Sequence, residues 1–307
     1  MEKLQLSNED FQPLHIDQTE SEKIAGASTS YRKDAWRRFR KNKLAIAGIV
    51  ILLLLGFMAI FGESISGHNY RDTDLMSTNL EPSSEHWFGT DNLGRDIFAR
   101  TWDGAKISLF IGLMAAFLDL IIGVIWGAIA GYFGGKVDEY MMRIADILYG
   151  LPYLLVVILL MVVMGQGIWT MIIAMVITGW INMARIVRGQ VLQLRSEEYV
   201  LASRSLGASN MRLLFKHLIP NTLGPILVTL TLTVPNAIFT EAFLSFLGLG
   251  VPAPHSSWGV MTSEALSALK HYPYQLFFPA FFICLTMLAF NVIGDGLRDA
   301  LDPKERK

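Results

Sequence analysis

The strongest constraint on the fold is a series of long runs that are almost free of charged residues. A helix that spans a bilayer needs about 20 mostly apolar residues. Only 17% of the residues are charged and 52% are hydrophobic, whereas soluble domains carry roughly a quarter charged residues. The sequence therefore predicts an all-α integral membrane protein with six transmembrane helices. These are Leu44–Phe61, Ile107–Gly131, Ile147–Met164, Ile168–Ala184, Leu223–Leu249 and Gln275–Gly294.

The distribution of lysine and arginine predicts which ends of the helices face the cytoplasm. Basic loops stay in the cytoplasm, and a basic cluster between Arg32 and Lys43 directly precedes the first span. We therefore expect both termini to be cytosolic. With this orientation the outer segments keep few basic residues, namely Arg71, Arg95, Arg100, Lys106 and Lys270.

The spans also predict how the chain is organised. Residues 1–43 form a cytosolic tail, 44–61 the first helix, 62–106 an extracytoplasmic loop, 107–300 a core with five helices, and 301–307 a second cytosolic tail. Within the core, a cytosolic loop is expected over residues 185–222. The fifth span contains Pro225 and Pro235 and ends near Gly248 and Gly250, so a kink or an irregular end is expected there.

Small residues recur at a helical spacing on the second span. Gly123, Gly127 and Gly131 are each four residues apart, which places them on one face of a helix. Such a face lets another helix approach closely. We interpret these glycines as helix-packing residues.

The cytosolic loop contains an amphipathic segment, "SLGASNMRLLFKHLIPN", at residues 205–221. Met211, Leu214, Phe215 and Leu218 recur at helical spacing, which predicts one apolar helix face. Gly207 precedes this run, where it can turn one helix against the next. The periodicity leaves two interpretations open: a helix lying on the inner leaflet, or a helix-turn-helix that inserts into a partner protein.

Three polar residues inside the predicted spans are candidates for the translocation pathway: Asp119, Asn236 and Glu241. Ionisable side chains within a membrane usually face a cavity or a partner. Asp119 has an alternative interpretation as a neutral or paired acid at a subunit interface. Asn236 has an alternative role in binding backbone groups that Pro235 leaves free.

Tests for other chemistry are negative in the sequence. The phosphate-binding pattern G-x-x-x-x-G-K-[ST] is absent, so we expect the chain itself to bind no ATP. Neither an H-E-x-x-H pattern nor a Cys/His cluster occurs, and no nucleophile motif is visible. We therefore expect no enzymatic activity, no metal and no cofactor bound by this chain. His68, His86 and His255 are outer-loop candidates for contact with a transported metal.

The 205–221 segment and its flanks resemble the cytoplasmic loop of binding-protein-dependent ABC importer permeases. In that loop an acidic-Ala-Ala triplet is followed by Gly and then by Ile-x-Leu-Pro. Here the matching positions are residues 201–203, Gly207 and residues 217–220, with Leu201 in place of the acid and His217 in place of the isoleucine.

Four further stretches are similar to the C-type permease subunits of dipeptide, oligopeptide and nickel importers. The resemblance covers residues from about 32 to the end, and it is strongest with the oligopeptide permease C subunit. The stretches are "GYFGGKVDEYMMRIAD" (131–146), "HWFGTDNLGRDIFAR" (86–100), "TEAFLSFLGLGVPAPHSSWG" (240–259) and "NVIGDGLRDALDP" (291–303).

The resemblance implies a type I ABC importer permease (MetI-like) fold in a prokaryotic plasma (inner) membrane. The implied partners are a second homologous permease forming a heterodimer, two ABC ATPases that bind ATP and Mg²⁺, an extracytoplasmic peptide-binding protein and membrane lipid, without nucleic acid. The amphipathic segment would be the coupling helix that contacts an ATPase. The implied coupling residues are Ala202, Ser203, Gly207, Ala208, Met211, Leu214 and Phe215.

The implied substrates are oligopeptides or dipeptides delivered by the external protein. Nickel or another small solute is the alternative within the family. A secondary transporter is a second alternative, but it would be expected to show internal repeats and broken helices at the midplane. A membrane-embedded enzyme would need clustered acids, histidines or metal ligands, and Asp119 and Glu241 alone do not provide them.

Overall fold

The computed structural model describes residues 31–301, without the side chains of residues 31 and 32. Of the predicted tails 1–43 and 301–307, residues 1–30 and 302–307 therefore lie outside the described residues. Twelve α-helices are found within 31–301: α1 Tyr31–Lys41, α2 Lys43–Ser66, α3 Ile97–Phe133, α4 Gly135–Tyr149, α5 Tyr153–Met164, α6 Ile168–Leu194, α7 Glu198–Ser205, α8 Asn210–Arg212, α9 Ile219–Asn221, α10 Leu223–Leu244, α11 Trp258–Ala265 and α12 Tyr274–Leu301. A π-helical stretch, Leu213–Leu218, joins α8 to α9, and another, Ser245–Leu249, continues α10.

Five of these elements are long and apolar enough to cross a membrane: α2, α3, α6, α10 with its π-helical continuation, and α12. A sixth span results if α4 and α5, which are bent by 81° at a short break, are counted together. The all-α membrane fold with up to six spans is thus confirmed.

The third predicted span, Ile147–Met164, is wrong as a continuous helix. Its first residues belong to α4, and the chain breaks at Gly150–Pro152 before α5 begins. Pro152 cannot donate a backbone hydrogen bond, and it restricts the backbone conformation of the residue before it. The helix therefore breaks at this proline. The twelve residues of α5 extend about 18 Å, which is shorter than the roughly 30 Å hydrocarbon core.

The other helices are longer than the apolar runs that predicted them. α3 begins ten residues earlier than predicted, because Asp96 caps it by accepting a hydrogen bond from Ala99 N at 2.7 Å. The connection between α2 and α3 is therefore residues 67–96, shorter than the predicted loop 62–106. α6 likewise continues to Leu194, into the segment predicted as a loop.

The helix pairs define two ends of the bundle. Gly62 at the end of α2 contacts Trp102 near the start of α3, and Gly296 near the end of α12 contacts Ala45 at the start of α2. One end therefore holds α1, the C-terminal part of α12 and residues 195–222; we call it the α1 end. The opposite end holds residues 67–96 and 250–273; we call it the loop end.

α3 and α6 form the most extensive helix pair, and they run parallel. The glycines predicted for packing lie at this contact. A Cβ added at Gly127 would lie 2.3 Å from Ala184 O, and one at Gly131 would lie 2.8 Å from Arg188 O. At Gly123 the nearest atom is Met183 Cβ at 2.6 Å. Only glycine allows the two backbones to approach this closely.

The irregular end predicted for the fifth span is also present. Pro235 lies within α10, and the following π-helical stretch contains Gly248 with φ +80°. This left-handed conformation stops the helix before Gly250.

Candidate functional site

The segment between α6 and α10 folds back on the bundle as a helix-turn-helix at the α1 end. α7 ends in a Schellman motif, in which Ala208 N donates to Ser203 O at 3.1 Å and Gly207 N donates to Arg204 O at 3.0 Å. Gly207 has φ +84°, the left-handed conformation expected for it. Ser209 then caps α8 by accepting from Arg212 N.

One side of this segment packs into the bundle. Leu213, Leu214 and Leu218 are buried in a cluster with side chains of α3, α6 and α10. Tyr132 of α3 donates its hydroxyl to Asn210 Oδ1 at 2.7 Å. These contacts fix the segment to the helices that cross the membrane.

The opposite side of the segment is apolar but exposed. Its residues are Leu201, Leu206, Met211 and Phe215, and we call it the 201–215 surface. Leu206 is 89% exposed, Met211 64% and Phe215 55%. Arg212 and Lys216 are exposed as well. Large apolar patches rimmed by charges mark sites of protein or membrane interaction.

This arrangement differs from the expectation that Met211, Leu214 and Phe215 share one contact face. Leu214 is only 2% exposed and points into the bundle. The turn around Gly207 adds Leu206 to the exposed side, and a single-helix projection does not predict that. Ala202 is exposed, whereas Ser203 and Ala208 are partly buried, and Ala208 packs against the inner cluster.

Asp119 lies inside the bundle, where α3 meets α6. Asp119 is 5% exposed, and its Oδ1 has no hydrogen-bond partner among the described residues. A Cβ at Gly179 would lie 2.3 Å from Asp119 Oδ2, so this glycine makes room for the carboxyl group. The Tyr153 hydroxyl is also buried without a partner in this part of the chain.

Glu241 is fully buried, so the structure does not place it on an open pathway as expected. Its carboxylate accepts hydrogen bonds from Ser108 Oγ at 2.9 Å and Ser245 Oγ at 2.8 Å. Ser108 Oγ in turn accepts from Trp258 N at 3.1 Å. The residue therefore joins α3, α10 and α11. Asn236, in contrast, is exposed on α10.

A buried ionic network closes the loop end. Arg100 is 4% exposed and donates to Asp91, at 2.5 Å, and to Glu264, at 2.9 Å. Arg95 also pairs with both acids. The network fastens the connection 67–96 to α11. The sequence identified these arginines only as orientation markers. Asp91 is close to both along the chain, but Glu264 is more than 160 residues away, so the network as a whole is visible only in the structure.

An apolar groove of about 470 Å³ runs along the outside of α3, α10 and α12. Thr231 is its only polar lining residue. The groove is lined by Phe110, Leu113, Met114, Phe117, Leu230, Thr231, Val234 and Phe290.

The family comparisons match both the core and the N-terminal part of the chain. The model of the family described as "Binding-protein-dependent transport system inner membrane component" matches residues 123–307. The N-terminal transmembrane domain of oligopeptide transport permease C matches residues 30–82. This chain is a member of the binding-protein-dependent transport permease family. It is a multi-pass component of the membrane.

Individual relatives agree with this assignment over nearly the whole chain. The chain is 64% identical to the oligopeptide transport system permease protein OppC of Bacillus subtilis, over 97% of each sequence. It is 60% identical to the dipeptide transport system permease protein DppC of the same organism, over 94% of this chain and 90% of the relative. The OppC of Escherichia coli is 43% identical, over 93% and 95%.

A solved structure confirms the fold. The chain superposes on a chain of the MetNI methionine ABC transporter, in an inward-facing conformation, with a TM-score of 0.52. The match covers 65% of this chain and 94% of that chain, at 16% sequence identity. The predicted MetI-like permease fold is therefore confirmed.

Proposed function

We propose that this chain is a permease subunit of an ATP-driven importer for oligopeptides or dipeptides. The observation that carries the proposal is whole-length identity of 60% or more to two peptide-transport permeases. In this account an external binding protein delivers the peptide at the loop end. The α1 end, where α1 carries Arg37, Arg38 and Arg40, faces the cytoplasm.

The 201–215 surface is the proposed contact with a partner ATPase. Phe215 and Leu206 supply exposed apolar area for a groove on the partner, and burial of such area drives association. The inner side of the same segment packs on α3 and α6 through Leu213 and Leu218. A displacement of the segment by the ATPase is therefore passed directly to the membrane helices. ATP and Mg²⁺ would be bound by the ATPase, not by this chain.

The groove along α3, α10 and α12 is the proposed face toward a second, homologous permease. A heterodimer built across this face would enclose a pathway between the two chains. An apolar lining with one threonine makes few directional hydrogen bonds. Such a lining suits a cargo whose side chains vary, because selection then rests with the external binding protein.

The proposal is tested by uptake measurements in cells that lack this chain. We expect deletion to abolish ATP-dependent uptake of labelled dipeptides and tripeptides, and the wild-type gene to restore it. Uptake of radioactive nickel should be unchanged. Loss of nickel uptake with normal peptide uptake would refute the proposal that peptides are the substrate. Peptide uptake that persists in a strain lacking the candidate ATPases would refute the importer mechanism and favour a secondary transporter.

A further inference from the structure

Three side chains that commonly bind metals come together in the connection between α2 and α3. They are His68, His86 and Asp96, and one ligand atom of each lies within 4.8 Å of the others. Within residues 31–301 this is the one cluster of three or more His, Cys, Asp or Glu side chains with this geometry. It lies at the loop end, away from the 201–215 surface.

The local structure holds these side chains in place. His68 follows Gly67, which ends α2, and Asp96 caps the start of α3. His86 Nδ1 lies 2.8 Å from Asp96 Oδ2, and the two imidazole rings have centroids 4.7 Å apart. The side chains of His86 and Asp96 are only 12% and 3% exposed. The candidate ligands are therefore positioned by the fold.

The hydrogen bonds around the cluster indicate which ligand atoms an ion would use. His68 Nε2 lies 3.1 Å from Glu85 O, which can only accept, so this nitrogen carries the ring proton and Nδ1 keeps its lone pair. Asp96 Oδ1 accepts from Ala99 N, and Oδ2 pairs with His86 Nδ1, so an ion would take the place of the proton between these two atoms. Histidines that bind metals usually donate their second ring N–H to a carbonyl or carboxylate in this way.

A simple ion pair between His86 and Asp96 accounts for only part of this arrangement. It does not explain why a second imidazole lies against the first. Two protonated imidazoles at this distance repel each other, whereas one cation can bind a lone pair from each. Tetrahedral zinc with bonds of about 2.0 Å places its ligand atoms roughly 3.3 Å apart, so shifts on the order of 1 Å would complete the coordination.

We propose that His68, His86 and Asp96 bind one divalent transition-metal ion, for which Zn²⁺ is the probe. Two imidazoles and a carboxylate suit zinc, and water would complete a four-coordinate site. The ion would join the end of α2 to the start of α3 and restrain the loop between them. The site is structural and does not depend on the transported substrate.

The test uses the full-length chain in nanodiscs, purified with a histidine-free affinity tag and stripped with chelator. Zinc binding is measured by equilibrium dialysis and mass spectrometry of the metal. The variants are His68→Gln, His86→Gln and Asp96→Asn, the last of which retains an oxygen for the helix cap. His271→Gln is the matched control, because His271 is exposed and lies outside the cluster.

We expect one zinc per chain in the wild type and in the control, and affinity weaker by about tenfold or more in each cluster variant. Zinc should also raise the melting temperature of the wild type but not that of His68→Gln, a comparison that remains informative if another variant folds poorly. Absence of stoichiometric binding at micromolar free zinc would overturn the proposal. Unchanged affinity in His68→Gln would overturn it as well.

Discussion

Replacing Gly207 by valine should uncouple the 201–215 surface from the membrane helices. Gly207 has φ +84°, and an added Cβ would meet no atom within 4 Å. The cost therefore arises within the residue itself, and it is about 1–2 kcal/mol for a side chain in the left-handed conformation. That energy lowers the population of the turn relative to other backbone conformations by a factor of about 5–30.

The assay is ATP-dependent peptide uptake in proteoliposomes that contain the assembled importer, with ATP hydrolysis measured in parallel. For Gly207→Val we expect the peptide transported per ATP to fall by about fivefold or more. Gly207→Asn is the control, because asparagine adopts the left-handed conformation readily, and it should stay within about twofold of the wild type. A valine variant with the wild-type ratio would refute the assigned role of the turn.

Three further predictions concern stability, measured as the free energy of unfolding in mixed detergent micelles. Gly127→Ala should lower the free energy of unfolding by about 1–3 kcal/mol, because its Cβ would lie 2.3 Å from Ala184 O. The control Gly56→Ala, whose Cβ would meet nothing within 4 Å, should be neutral or stabilising. Equal losses of stability in the two variants would contradict the α3–α6 contact. Glu241→Leu should cost about 1–3 kcal/mol because its serine partners lose their acceptor, and Glu241→Gln, which can still accept, should cost clearly less. Arg100→Met should lower the free energy of unfolding by about 3 kcal/mol. The control Arg143→Met, at an exposed position, should lower it by at most about 0.5 kcal/mol. Similar losses in the two variants would argue against the buried network.

Most of the fold could be predicted from the sequence, because the bilayer imposes a length and a composition on every helix that crosses it. The sequence did not reveal where helices extend beyond the apolar runs. Beyond its apolar run α6 continues to Leu194, and Arg185 and Arg188 on this extension pair with Asp146 and Asp138 of α4. Those contacts join residues about 40–50 positions apart, and a hydropathy pattern does not predict them.

The candidate site was predicted in outline but not in its exposed residues. The amphipathic pattern located the segment and Gly207 located the turn, whereas the π-helical stretch changes which side chains face outward. Leu214 points inward in this stretch, and the turn around Gly207 leaves Leu206 facing outward. The burial of Glu241 was not predicted either, because its partner Ser108 lies on α3, 133 residues away, although Ser245 is only four residues further along its own helix.

The central claim is that the 201–215 surface binds an ATPase, and co-purification tests it most directly. The chain is purified in mild detergent from its own cells, and its partners are identified by mass spectrometry. We predict recovery of a second permease and of ATPases with the wild type, and loss of the ATPases alone with Phe215→Glu, which introduces charge at an exposed position. Arg143→Glu at the same end of the bundle is the control and should retain the ATPases. ATPases that remain fully bound to Phe215→Glu, or that are never recovered while peptide uptake continues without them, would contradict the account.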